Sequence, residues 1–208
     1  IDDLVTKETH EPYRMMTSRT EYRLLHRQDN ADLRLTALGH RVGLISDNRA
    51  REVAEKYDAV RRECGRLEHT GAAPTPALTD YLASCGEPVS SSGARLSDLL
   101  RRPRVTYEGL APFDPQRPSL PTDVVEQVEL SLKYEGYIKR QLNQVEEMKK
   151  LESHLLPTDL DYLSLSGLRL EARQKLQKIR PRDLGQAGRI SGVSPADIAA
   201  LMIYLEKR

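Results

Sequence analysis

Ala50, Val53, Ala54, Tyr57, Val60, Cys64 and Leu67 follow one another at the steps of a helix with ~3.6 residues per turn, and this stripe constrains the fold more than any other feature of the chain. A strand alternates its side chains between two faces and cannot collect such a stripe on one of them. The spacing predicts a helix that starts after Ser46 or Asp47 and is ended by Gly71 and Pro74. The same period recurs downstream. Tyr134, Ile138, Leu142, Val145, Met148 and Leu151 mark one face of a long helix capped by Thr122 and followed by Pro157, with Gly136 as a point where it can bend. Leu168, Ala172, Leu176 and Ile179 mark a shorter one. Ser194, Pro195 and Asp197 supply the cap, the first-position proline and the first-turn acid of a last helix reaching about Glu206. Further short helices are expected over Ala31 to Arg41, Pro76 to Ser84, Ser97 to Arg102 and Asp183 to Ile190. Ser18 and Glu21 stand at capping-box spacing before a helix over Tyr22 to Arg27. The only strand candidate is Leu4 to Thr6. The expected class is all-α: a multi-helix assembly of two helical subdomains with no sheet of its own.

Pro103, Pro112, Pro115, Pro118 and Pro121 interrupt this pattern. Each ring removes a donor and keeps the residue before it out of the helical region, so the segment cannot be a regular helix. It serves as the expected connector, 103–121, between a first subdomain over 18–102 and a C-terminal bundle over 122–208.

No apolar run approaches the roughly 18 residues that a membrane-spanning helix needs, and charged residues make up 30 % of the 208. The chain opens Ile1-Asp2-Asp3-Leu4, without a secretory leader or an initiator Met, and is expected to begin inside a longer cytoplasmic protein. Cys64 and Cys85 form no C-x-x-C motif and are expected as reduced thiols, with Cys64 in the core. The five histidines are scattered without metal-ligand spacing. Asp29-Asn30-Ala31-Asp32 lacks the glycine and terminal Glu of a calcium loop and reads as a helix cap. Neither G-x-G-x-x-G nor G-x-x-x-x-G-K-[ST] occurs. The residues give no catalytic site, no cofactor-binding site and no metal site. Charge is more informative. The total is +1, yet eight basic residues face four acids between Tyr13 and Arg51, and seven face two between Arg169 and Arg189. Such patches suit a phosphate backbone, or else are two solvated helix faces.

Two blocks carry a resemblance. The first runs Glu11-Pro12-Tyr13-Arg14-Met15-Met16-Thr17-Ser18-Arg19-Thr20-Glu21-Tyr22-Arg23 and on to Asn30-Ala31-Asp32-Leu33-Arg34-Leu35. The second is Leu184-Gly185-Gln186-Ala187-Gly188-Arg189-Ile190-Ser191-Gly192-Val193-Ser194-Pro195-Ala196-Asp197-Ile198. In this order they resemble the C-terminal region of the glucose-inhibited division protein A family, with Glu8 and Met16 standing where the family pattern leads one to expect Gly and Phe. The resemblance implies a FAD-dependent enzyme that modifies carbon 5 of the tRNA wobble uridine, drawing a one-carbon unit from methylenetetrahydrofolate. It implies a homodimer working with a GTPase in a two-plus-two complex. Flavin and catalytic residues would lie upstream, making residues 1–17 a linker from an absent flavin domain, and this chain would bind no FAD itself. It would dock the GTPase and help hold tRNA. On that reading Arg14, Arg19, Arg23 and Arg27, set among tyrosines, are the candidate tRNA contacts. Gly185, Gln186, Arg189, Ala200, Ile203 and Tyr204 are the candidate GTPase surface, since small residues permit close approach while Ile203 and Tyr204 supply apolar area.

Two other readings stay open. Leu184 to Ile190, the Ser191–Ser194 turn and the Pro195 helix have helix-turn-helix proportions, though Ile198, Leu201, Met202, Ile203, Tyr204 and Leu205 leave few polar groups to read bases. A purely structural dimerisation module fits the same pattern.

Overall fold

The computed structural model describes residues 12, 14, 16, 20, 22–88 and 92–206. Their regular elements are α1 (Ala31–Arg41), α2 (Asp47–His69), β1 (Gly71–Ala72), α3 (Pro76–Ser84), β2 (Ala94–Arg95), α4 (Leu96–Leu100), α5 (Thr122–Ser153), α6 (Leu170–Ile179), α7 (Leu184–Arg189) and α8 (Pro195–Glu206), with 3-10 turns at Ala111–Phe113 and Tyr162–Ser164. The all-α class holds. The expectation of no sheet needs one correction: β1 and β2 pair antiparallel, Gly71 opposite Arg95 and Ala72 opposite Ala94, which is a clasp and not a layer. The strand candidate Leu4 to Thr6 and the Ser18–Glu21 capping box lie outside the described residues. Contacts divide the chain into two compact units, one over Glu21–Lys139 and one built on Arg140–Arg208, so the division falls inside α5.

In the first unit α2 is the spine. The Ser46 hydroxyl accepts a hydrogen bond from the Arg49 amide at 3.4 Å and so caps the helix, and Val53, Tyr57, Val60 and Leu67 are buried as their spacing requires. Ala54 is exposed and Cys64 is half-buried against the core, so the stripe is narrower than read. Leu78 and Leu82 of α3, Leu96, Leu99 and Leu100 of α4, and Val124, Val128 and Leu132 of α5 close the core. The proline-rich segment is no connector: it carries Val105, Tyr107 and Leu110 into this same core. Prolines forbid a helix there but not burial, because the turns satisfy their own backbone, with the Leu110 amide donating to Thr106 at 3.2 Å and the Phe113 amide to Leu110 at 2.9 Å.

A polar group sits inside this core. Glu63 and Asp114 are almost wholly buried, and Arg66 binds both, with Nε on Glu63 at 2.8 Å and Nη1 on Asp114 at 3.0 Å. The Tyr107 hydroxyl donates to Glu63 at 2.8 Å, and burial, followed by that hydrogen bond, pushes its pKa up to about 12. The arrangement ties α2 to the proline-rich loop with every charge answered.

The second unit buries Leu156, Leu160, Tyr162, Leu168, Ala172, Leu176, Leu184, Ala187, Ile198 and Leu201 together. The Asp183 carboxylate caps α7 by accepting from the Gln186 amide at 2.8 Å. The stripe read on α5 is buried nowhere in full: Tyr134 and Leu142 are exposed, while Ile138, Val145, Met148 and Leu151 are half-buried.

Candidate nucleic-acid and partner surfaces

No helix forms over Tyr22 to Arg27, which corrects the expected basic helix face. Tyr22 sits at φ 51°, and the chain turns there, with the Leu25 amide donating to the Tyr22 carbonyl at 2.9 Å. A tyrosine does not announce a left-handed backbone, so the sequence gave no warning. Asn30 pins the turn: its side-chain amide donates to the Leu25 carbonyl at 3.1 Å, and its carbonyl oxygen accepts from the Arg27 amide at 3.3 Å and from Arg34 Nε at 3.0 Å.

The four candidate arginines fare differently. Arg23 is exposed on the turn. Arg27 is clamped, with Nε on both Asp29 oxygens at 3.0 and 3.1 Å and Nη1 on the Leu24 carbonyl at 2.6 Å. Burial would raise the Asp29 carboxyl, but hydrogen bonds from Arg27 and Gln127 outweigh it and hold it below its ordinary value. Arg14 is exposed and groups with the second unit, and Arg19 lies outside the described residues. On this turn Arg23 stays exposed, while Arg27 serves the fold.

The basic cluster of the second unit is also largely engaged. Arg173 Nε donates to the Leu168 carbonyl at 2.8 Å, Lys175 to the Ser191 carbonyl at 2.6 Å, and Arg180 to the carbonyls of Thr158 and Leu160 at 3.0 and 3.2 Å. These cations hold loops together while keeping their charge near the surface. Arg180 and Arg182 also line a cavity of about 320 Å³ walled by Leu155, Leu156, Pro157 and Pro181. Among the described residues no group of three His, Cys, Asp or Glu could hold a metal. Burial pushes the Cys64 thiol up to about 11, which leaves it a poor nucleophile at neutral pH.

The candidate partner residues divide into an inward and an outward set. Gly185 is buried, and a Cβ built there would stand 2.5 Å from Glu152 Cγ, so its smallness admits the end of α5. The Gln186 side chain accepts from the Arg182 amide at 2.7 Å, and Arg189 donates to Glu152 at 2.8 Å. Ala200 is half-buried against the unit's own core. Ile203 and Tyr204 point outward, 53 % and 37 % exposed. α8 buries Asp197, Ile198 and Leu201, and it is positioned by Arg169, whose Nη2 meets Asp197 at 2.7 Å and the Gly192 carbonyl at 2.9 Å. The hydrogen bonds of Arg169 outweigh burial and hold the Asp197 carboxyl well below its ordinary value. Sequence reasoning saw Asp197 as a helix-start signal and missed its partner, because Arg169 lies 28 residues away.

A short capped helix, a turn and an apolar terminal helix, held by the Arg169–Asp197 pair, define a small helical bundle. Two family models match end to end: the tRNA modifying enzyme MnmG/GidA C-terminal helical domain over residues 47–142, and the MnmG/GidA C-terminal helical bundle over residues 144–208. The chain belongs to this family, as part of its C-terminal helical region. It is 55 % identical over 207 residues to the tRNA uridine 5-carboxymethylaminomethyl modification enzyme MnmG of Caldicellulosiruptor saccharolyticus and 50 % identical to that of Bacillus subtilis, in each case over 100 % of this chain and 33 % of the relative. The form II crystal structure of Aquifex aeolicus GidA matches with a TM-score of 0.69 at 37 % identity, over 98 % of this chain and 32 % of that one. The chain thus spans about a third of the length of the relatives it matches.

Proposed function

We propose that this chain is the C-terminal helical region of a tRNA-modifying flavoenzyme that installs an aminomethyl or carboxymethylaminomethyl group on carbon 5 of the wobble uridine. The observation that carries this reading is the pair of family matches laid end to end across both units, joined to relatives that bear the modifying activity in their names. FAD and the folate-derived carbon belong to the upstream part, since this sequence has no glycine loop of the usual dinucleotide type. The region described here serves binding. Arg14 and Arg23, with Arg19 beside them in sequence, contact tRNA phosphates, while Arg27 holds the turn that presents Arg23. The GTPase docks on the outward side of α8 at Ile203 and Tyr204, with Ala200 beside them on the same helix, while Gly185 and Arg189 seat the neighbouring α7, which carries Gln186, against Glu152 at the end of α5. The working assembly is a homodimer with two GTPase subunits in the cytoplasm.

The DNA-binding reading loses ground on α8 itself, whose first two turns expose only Pro195, Ala196 and Ala199 and whose exposed polar groups, Tyr204 and Glu206, stand in its last turn, away from the N-terminal end with which a recognition helix reads bases. The test uses the longer protein carrying Ile203→Asp together with Tyr204→Ala. Pull-down of the GTPase should fall at least tenfold while the melting temperature moves by no more than a few degrees. Undiminished pull-down by a folded variant removes the docking face, and wobble uridines that stay modified in a strain lacking the whole gene remove the enzymatic reading.

A further inference from the structure

α1 is packed with its polar side inward. Asp32 faces α2, accepting from Tyr57 Oη at 2.6 Å and from Lys56 Nζ at 3.0 Å. Thr36, one turn on, is the residue that α1 buries, and Gly39, another turn on, lets Ile45 close against the helix, since a Cβ there would lie 2.7 Å from Ile45 Cγ1. The apolar side looks the other way. Leu35, Leu38 and Val42 follow at steps of three and four, 53 %, 46 % and 60 % exposed, and Leu44 in the next turn is 81 % exposed. An amphipathic helix ordinarily does the reverse, and a stripe of this kind on a free surface marks an interface.

We infer that the Leu35, Leu38 and Val42 stripe, with Leu44, is the seat of the part of the same polypeptide that precedes Ile1 in the longer protein. This rests on the C-terminal reading above. Relatives are about three times as long as this chain, and both matching family models describe C-terminal regions, so the remaining two thirds lies upstream. α1 is the first helix of the described residues, close in sequence to that covalent join. A tether this short raises the effective concentration of the upstream part to the millimolar range or above, so a modest apolar stripe suffices to seat it. A second copy fits less well, because Arg34 and Arg41 border the stripe on the helix and a two-fold pairing would set them against their own copies. The tight polar packing of Asp32 on Tyr57 and Lys56 then has a purpose: it holds the helix with its apolar side presented.

Hydroxyl-radical labelling of the longer protein, with free leucine and valine as rate standards, tests this. Leu35, Leu38 and Val42 should be oxidised at least fivefold more slowly than side chains exposed to the extent seen here. Rates that match those exposures overturn the inference, and so does protection that disappears on dilution together with the oligomer, which would assign the seat to a second copy. The Leu38→Glu, Val42→Glu double variant of the longer protein should raise labelling of Leu35 at least fivefold and open the residues before Ala31 to protease. If that variant fails to fold, Leu35→Ser alone should show the same change at Leu38. Wobble-nucleoside analysis of tRNA from the same strain reports separately on the enzymatic reading, so the two can fail independently.

Discussion

Both units rest on an arginine–carboxylate lock, and the two locks differ in what surrounds them. In the first unit Glu63 and Asp114 are each 3 % exposed and Arg66 is 23 % exposed, with Tyr107 hydrogen-bonded into the same group. In the second, Asp197 is as deeply buried at 2 %, but its partner Arg169 is 58 % exposed. A charge taken out of water is expensive unless it is paired, so breaking the first lock strands two carboxylates where water does not reach, whereas the second can rehydrate through its open side. The deep lock fixes an irregular proline-rich loop into the core. The open lock sets the start of the helix proposed to meet a partner.

The largest effect should follow from Arg66→Met. It keeps the stem but leaves Asp114 and Glu63 without their cation, and folding stability should fall by about 3–5 kcal/mol. Chemical denaturation checks this, and a loss under about 1 kcal/mol would mean that water screens the site and that the contrast between the locks is not one of burial.

A smaller effect, and one that depends on pH, is expected at the open lock. Asp197→Ala removes both the pairing with Arg169 and the acceptor for the Ser194 amide at 2.8 Å, and should cost about 2 kcal/mol at neutral pH. The folded carboxyl lies below its ordinary 3.8, so its contribution is complete above that value and is lost as pH falls through the folded-state pKa. The gap between the parent protein and the variant should therefore stay constant from pH 7 down to about 4 and narrow below it. Denaturation midpoints across that range check the sign, and a gap that widens in acid would remove Asp197 as the seat of the lock.

The helices were largely legible and the locks were not, for one physical reason. Ser46 before Asp47, Thr75 before Pro76, and Ser194 before Pro195 are local signals, and α2, α3 and α8 begin where they stand. What failed depends on residues far apart. Glu63 lies next to the apolar stripe and reads as a surface acid until Arg66, Tyr107 and Asp114 surround it. The basic run from Arg169 to Arg189 reads either as a phosphate surface or as solvated helix faces, and no local pattern reveals that Arg173, Lys175 and Arg180 hold loop carbonyls. The proline-rich segment shows no period, because turns bury Val105, Tyr107 and Leu110 at irregular steps. The turn at Tyr22 takes a left-handed residue that only glycine or asparagine would have advertised.

The smallest effect on stability is expected at the first turn, where of two arginines four residues apart one holds the fold and the other is proposed to meet tRNA. Arg27→Ala frees the Asp29 carboxylate and the Leu24 carbonyl at once and should cost about 1 kcal/mol of stability. Arg23→Ala removes an exposed side chain and should leave stability within about 0.5 kcal/mol. If Arg23 meets an RNA phosphate, its loss in the longer protein should weaken binding similarly across tRNA sequences and reduce the slope of log affinity against log salt by about 1, because one fewer phosphate charge is neutralised. The two properties then separate cleanly: denaturation reads Arg27, and the salt series reads Arg23. A salt slope unchanged by Arg23→Ala, in a protein whose melting curve is also unchanged, would show that the exposed arginine of this turn faces solvent alone, and the tRNA surface would have to be sought from Arg14 outward.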